Sequence, residues 1–485
     1  MKKYIPENID LDKLIRDSHM HNIKEFHPEK LVCILSEIAE KPANSEGFAE
    51  IHSKRFRSFV HNYNEYLECL SSSGIIDCDR RYSYEIYSKV RGYKLTDEYS
   101  STLTGYEITY LPIVKRAARE RASTIKSCRN YKHLLKWFNP GLTVDYDSAI
   151  DYLGTYYTEK KKEFEILTQK REDIIRTWYE EYSIKCLELQ WCEVKDPYGS
   201  YRSAFIAIDR IKEQDYHFST GRKVNRFHSI LTLMPSDFRN FLSYDGQELV
   251  CYDIRNSQAY FSLGLLNPEK ISEIIEIATE LIKKDNKSPI IKRQSPSNCL
   301  SSSIILSESL QRIDIQEFEL YKNLVLSGTI YEYFEQALRD ELDITYPSRE
   351  AVKNELFRIL FSSNSFFWQP SAAPKRLFQK LFPGLFEYFV QLKRLHRDII
   401  PIVLQRWESY AVLQVITKRI ARDYPDVPLF TIHDSIVTTR ANGELVSAIM
   451  QEELNSLTGY SPAIKQEVWG LKNLKYYDKW KQNQT

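Results

Sequence analysis

Apolar positions recur mostly at helical spacing from the start of the chain to about residue 210, with breaks at NPGL (139–142) and DPYGS (196–200). Residues 158–185 combine that spacing with dense charge, the texture of a long exposed helix. After Ser219 the pattern changes to short extended runs divided by turns, GQELVCYDI among them, and then returns to helix. The Ser/Pro-rich run 287–303 reads as a loop or insertion. No internal repeat is visible. The expected class is α+β: a helical N-terminal domain (1–150), a second helical region (151–215) and a mixed C-terminal domain (216–485).

A chain of 485 residues, 42% of them hydrophobic, is too long for one ordinary core. Lys+Arg 67 against Asp+Glu 66 leaves a net charge of +1, so the overall balance does not point to a polyanionic partner. Local charge does: KRAARERASTIKSCRNYKHLLK (115–136) is strongly basic and compatible with helix, either a solvated face or a stripe along a phosphate backbone. The eight cysteines show no CxxC pair and no zinc-like spacing, which suits reduced thiols inside a cell. MKKYIPENIDLDKL lacks the apolar core of a signal peptide, and no 18 apolar residues run together. A cytoplasmic protein without a membrane partner is expected.

Two stretches place an acid inside an apolar strand. In ELVCYDIRNSQAYF the run leads into Asp253, and in VPLFTIHDSIVTT it is interrupted by His433 and Asp434. A buried carboxylate costs several kcal/mol unless it is paired or binds metal. Single acids at strand ends are commonly structural. Two on adjacent strands, however, form a hard oxygen site for Mg²⁺, and a pair of ions there stabilises both the attacking and the leaving oxygen of a phosphoryl transfer. Between them lies YPSREAVKNELFRILFSS, where Pro347 and Ser348 signal a helix start. Arg349, Lys353, Phe357 and Phe361 then recur every fourth residue on one face. Such a stripe suits a triphosphate at one end and a base at the other; the plainer reading is an amphipathic helix with core aromatics.

In this order the three elements resemble motifs A, B and C of the family A nucleic acid polymerases, a group that includes the single-subunit phage-type RNA polymerases. Arg349, Lys353 and Phe357 match motif B, with Phe361 at its tyrosine and Ser362 at its glycine; His433, Asp434 and Ser435 match motif C. FSTGRKVNRFHSILTLMPSDFRNFL is similar to the segment preceding motif A, through Thr220, Gly221, Arg222, Met234, Pro235 and Arg239, and IKQEVWGLKNLKYYDKW resembles the closing strand and tail. The likeness covers about residues 216 to 480.

The resemblance implies a polymerase right hand: a palm with an antiparallel sheet, helical fingers (about 265–400) and a thumb-like helical region at 151–215. It implies that Asp253 and Asp434 hold two Mg²⁺ ions, with Mn²⁺ an alternative, and that Lys353 neutralises the triphosphate and protonates the leaving group. Arg349 would grip the γ-phosphate, Phe357 and Phe361 would stack on bases, and His433, Thr220, Arg222 and Arg239 would face the nucleic acid. Gln258 stands where the DNA polymerases of the family carry a glutamate that excludes a ribose 2′-hydroxyl and the RNA polymerases a small residue. The interval of 31 residues from Arg222 to Asp253 is short, as in the DNA enzymes, and no exonuclease-like pairing of acids appears in the first 210 residues.

The favoured expectation is a compact DNA polymerase without proofreading, of the kind phages and mobile elements carry. It would act on a primer–template, DNA by preference, with nucleoside triphosphates, and would select deoxynucleotides less strictly than a glutamate-gated enzyme. The alternatives are an RNA polymerase or primase, and an inactive nucleic-acid-binding replication or defence protein. The intact Asp253, Asp434 and Lys353 count against the last.

Overall fold

The structure is a computed structural model and describes residues 1–16, 20, 23–41, 47–79, 90–99, 102–176, 196–221, 223–285 and 299–484. The N-terminal region carries five strands where helix alone is expected: β1 (Lys2–Pro6), β2 (Ala49–His52), β3 (Ile76–Asp79), β4 (Val90–Leu95) and β5 (Leu103–Glu107). β1 pairs with β5, and β2, β4 and β3 form a separate sheet in that order. Each strand is only four to six residues long, so period-two alternation has little length in which to show, and β1 finds its partner about a hundred residues away. Helix α1 (Pro28–Glu40) covers them, begun by His27, whose ring nitrogen accepts from the Glu29 amide at 3.2 Å.

The basic run forms α2 (Leu111–Ser127). After β6 (Leu142–Val144) come α3 (Tyr146–Arg176) and α4 (Pro197–Lys212), which pack against each other. The DPYGS break is a helix start: Asp196 accepts from the amides of Tyr198 (3.0 Å) and Gly199 (2.9 Å), and Pro197 takes the first turn. Residues 177–185 of the long helix read from sequence lie outside the described residues.

Helix α4 belongs to two cores. Ile206 sits in the N-terminal core, whereas Ala204, Ala207, Ile208 and Ile211 join the core beneath the main sheet. Buried Asp209 on α4 accepts from the Tyr4 hydroxyl (2.9 Å) and from Lys2 Nζ (3.0 Å), and Arg210 donates to Glu40 (2.7 Å). These contacts fasten the N-terminal sheet to the rest of the molecule.

The C-terminal part begins with the hairpin β7 (Ser219–Thr220) and β8 (Phe227–His228), then β9 (Leu242–Tyr244) and β10 (Gln247–Ile254). A helical stretch follows: α5 (Ser257–Leu265), α6 (Ile271–Asp285), α7 (Cys299–Gln311), α8 (Ile315–Ser327), α9 (Ile330–Leu342), α10 (Arg349–Phe361), α11 (Ala373–Leu381), α12 (Pro383–Leu395) and α13 (Ile399–Tyr410). Residues 299–303, expected in a loop, open α7; residues 286–298 of that run lie outside the described residues. The chain then returns to the sheet through β11 (Phe430–Ile432) and β12 (Ser435–Thr439), passes α14 (Gly443–Thr458) and closes with β13 (Ile464–Val468). The resulting six-stranded sheet runs β11-β12-β10-β9-β6, with β13 also on β10, and every pairing is antiparallel. The mixed helix and antiparallel-sheet class expected from sequence is what the chain adopts. No helix among the described residues is long and apolar enough to cross a membrane.

Candidate functional site

Strand β10 is the central strand, bonded to β12 on one side and β13 on the other, and its buried apolar residues Leu249, Val250, Tyr252 and Ile254 anchor it between two cores. Asp253 lies near its end, opposite Ser435 of β12 and Lys465 of β13. Asp434 occupies the two-residue turn between β11 and β12, after His433, whose φ of 55° is left-handed. Asn256, which leads into α5, is left-handed as well (φ 55°). Both acids thus stand where strands give out, beside the residues with unusual backbone.

The Ser435 hydroxyl donates to Asp253 Oδ1 at 2.5 Å. Burial, and then the neighbouring Asp434 charge, raises the pKa of Asp253, with partial relief from Ser435, Lys353 and Lys465. Burial also raises Asp434, and Glu408 adds to it, against relief from Ser257 and Lys353. Two desolvated carboxylates that only part-neutralising lysines accompany have the donor chemistry of a hard divalent-cation site. Among the described residues no group of three or more His, Cys, Asp or Glu stands together, so the protein's share would be these two carboxylates.

Helix α10 opens at Ser348, whose hydroxyl accepts from the Ala351 amide at 3.3 Å. It buries Val352, Glu355, Leu356, Ile359 and Leu360 on one face and leaves Arg349, Lys353, Phe357 and Phe361 at least partly exposed on another, so cations and aromatics do share a stripe. Lys353 acts electrostatically on both aspartates, pairs with Glu350 at 3.7 Å and lies over the Phe357 ring at 5.8 Å. Arg349 bonds Glu332 (2.6 Å), Asn256 Oδ1 (3.4 Å) and the Gly328 carbonyl (3.3 Å), and lies over the Tyr331 ring at 4.9 Å. Phe357 and Phe361 stack on each other with centroids 5.5 Å apart.

His433 is exposed and meets His228 edge to face at 5.8 Å. Desolvation by the surrounding protein, then the charges of Arg226, His228 and Arg239, pulls its pKa to about 4, so the ring is neutral at pH 7 and can accept as well as donate. Arg239 thereby belongs to the same neighbourhood, although its Nη2 also donates to the Met234 carbonyl at 3.1 Å. Thr220 is half-buried on β7, paired with Phe227 next to His228. Arg222 lies outside the described residues.

Gln258 is buried, and its Nε2 donates to Glu408 of α13. Glu408 is 1% exposed and also accepts from Arg226 Nη2 (2.5 Å) and the Ser257 hydroxyl (3.2 Å). Because a carboxylate only accepts, the amide nitrogen of Gln258 is fixed on Glu408, and Oε1 is left buried without a hydrogen-bond partner. Sequence reading did not single out Glu408 or Arg226. The signal for Glu408 was present: in IPIVLQRWESYAVL an acid interrupts an apolar helical pattern, as Asp253 and Asp434 interrupt apolar strands.

No protein-family model matches the sequence, and no curated protein matches it. Among solved structures, the POL domain of Pol1 from M. smegmatis, in complex with DNA primer-template and dNTP, is similar over 74% of each chain, with 10% identity and a TM-score of 0.32.

Proposed function

We propose that the site around Asp253 and Asp434 carries template-directed nucleotidyl transfer from nucleoside triphosphates onto a nucleic acid end, in a compact DNA polymerase without a proofreading site. The observation that carries this reading is the pair Asp253 and Asp434, desolvated, adjacent and flanked by Lys353. Two Mg²⁺ ions held there would supply charge neutralisation at the attacking hydroxyl and the leaving pyrophosphate. Asp253 and Asp434 would hold them, and the Ser435 hydroxyl fixes the Asp253 carboxylate. Lys353 neutralises the triphosphate and can pass a proton to the leaving group. Arg349 is the second phosphate cation, and Phe357 with Phe361 offers apolar rings to bases. Neutral His433, beside Arg239 and His228, faces the primer end.

A second reading, synthesis from ribonucleotides, gains support from one observation. With its amide drawn onto Glu408 and its Oε1 buried, Gln258 is occupied inside the protein and does not stand as an exposed wall against a 2′-hydroxyl.

Primer extension with dNTPs and NTPs in parallel, with Mg²⁺ and with EDTA, tests both. Divalent-cation-dependent extension that Asp434→Asn abolishes, without loss of the folded state, is expected. Extension by the Asp434→Asn protein at the wild-type rate would end the two-metal reading, and exclusive use of NTPs would move the assignment to an RNA polymerase or primase.

A further inference from the structure

The basic run 115–136 holds eight Lys or Arg and one Glu in a chain whose net charge is +1, so the rest of the molecule is acidic on balance. On α2 the protein-facing side carries buried Ile113 and half-buried Ala117, Glu120 and Thr124, which leads into buried Cys128. Lys115, Arg119 and Lys126 are exposed on the opposite side, with Ala118, Ala122 and Ser123 between them. Over 11 residues that stripe is about 16 Å long, and Arg129 and Lys132 extend it, both exposed. Arg121 is spent on Asp215 (3.1 Å) and Glu120 faces Arg55 (3.7 Å), but the stripe cations have no carboxylate partner among the described residues.

The helix has a defined place. Ile113 plugs into the N-terminal core, and the end of α2 packs beside β7. Tyr131 then donates to the Asn225 carbonyl (3.1 Å) and meets Phe227, in the hairpin whose other member, His228, touches His433. One hairpin therefore separates the stripe from His433 and Asp434. Helix α3 offers no equivalent: from residue 158 to 176 it has six basic and five acidic residues, and Lys160 and Lys162 are paired with Glu163 and Glu159.

We infer that the outer face of α2, continued by Arg129 and Lys132, is a phosphate-backbone binding surface that holds nucleic acid leading to or from the site around Asp253 and Asp434. The inference rests on the nucleic-acid substrate proposed above. Charge complementarity selects the occupant: small residues between the cations let a backbone approach, and the only large apolar side chains that α2 exposes, Leu111 and Ile125, stand 14 residues apart and form no continuous apolar face to bury in a lipid surface.

The test is binding of a fluorescent DNA hairpin with a single-stranded overhang by the full-length protein, in EDTA, across a salt series. Every cation taken off a phosphate reduces the salt slope by about 0.9. Lys115→Ala/Arg119→Ala/Lys126→Ala should lower the slope by about 2–3 and weaken binding at least tenfold near 0.1 M salt, whereas Lys161→Ala/Lys170→Ala on α3 leaves the slope unchanged. Arg119→Gln alone should lower it by about 1. An unchanged slope in the folded triple variant overturns the inference, as does α2-dependent binding to phosphatidylserine vesicles without α2-dependent binding to DNA. Primer extension separates the two readings: a wild type that extends primers while the triple variant binds normally loses only the inference, and one that binds through α2 but never extends loses only the polymerase reading.

Discussion

On the proposed function, Gln258 and its partner Glu408 bear on the choice between deoxy- and ribonucleotides. Gln258→Glu would press a second carboxylate against a buried one, so we expect a loss of roughly 2–3 kcal/mol, in the range for a buried polar group left without a compatible partner. Pairing it with Glu408→Gln should recover most of that loss, and urea unfolding of the four proteins of the cycle measures the coupling. A stable single variant would show that the amide does not depend on Glu408. His433 offers a second test. In a two-residue hairpin a left-handed first position is typically glycine, and a side chain there costs on the order of 1 kcal/mol or more. His433→Gly should therefore raise the melting temperature while slowing extension; if it leaves the rate intact, the imidazole is not at the primer end. Asp253 and Asp434 were legible in sequence as a pair: either acid alone reads as structural, but two that interrupt separate apolar strands point to one site. Glu408 followed the same logic but was masked by its helix, where acids at intervals are ordinary.

Helix α10 shows what a sequence pattern can and cannot deliver. Its start at Ser348 and its stripe of Arg349, Lys353, Phe357 and Phe361 follow from spacing alone. Its far end does not. There Lys393 Nζ donates to the Ile359 carbonyl (3.1 Å), and Lys375 Nζ to the carbonyls of Ser362 (3.4 Å) and Ser363 (2.9 Å), two buried ammoniums brought from later helices. A helix C-terminus favours cations, yet burial prevails: it pulls Lys375 to about 8, and burial followed by the Lys375 charge pulls Lys393 to about 7. Between these values and the ordinary lysine pKa near 10.4 the unfolded chain holds more protons than the folded one. Stability therefore rises with pH from about 7 towards 10, by up to ~1.4 kcal/mol per unit for Lys393. Lys393→Met should flatten that rise, and urea midpoints at pH 7, 8 and 9 would reveal it; parallel slopes in the two proteins would refute the burial argument. The π-helical turn at Ala411–Ile416, just after Glu408, is likewise absent from any periodicity, because one extra residue per turn looks like an ordinary helix in sequence.

At the scale of the molecule, the N-terminal sheet is coupled to the remainder through α4. Asp209→Ala would strand the buried Tyr4 hydroxyl and remove the more buried of the two carboxylates that Lys2 meets, so we expect about 1–3 kcal/mol of destabilisation and faster proteolytic cleavage of the N-terminal region than of the C-terminal sheet. Simultaneous loss of both parts would mean that they unfold as one unit. The α+β class was readable because the texture changes at about residue 219; the five N-terminal strands were not, since their pairing is decided across the chain. The same nonlocality shapes how the protein is made. Beyond its short pairing with β9, strand β10 takes its neighbours β12 and β13 from beyond residue 434, after the whole helical stretch has been synthesised. During translation most of β10 waits as an unpaired apolar strand, the kind of edge that recruits wrong partners, and Asp253 has no Asp434 to meet. On the proposed function, catalytic competence arrives only once β11 and β12 have been made, and a chain cut short before Asp434 would be an aggregation-prone intermediate, never a partly active enzyme.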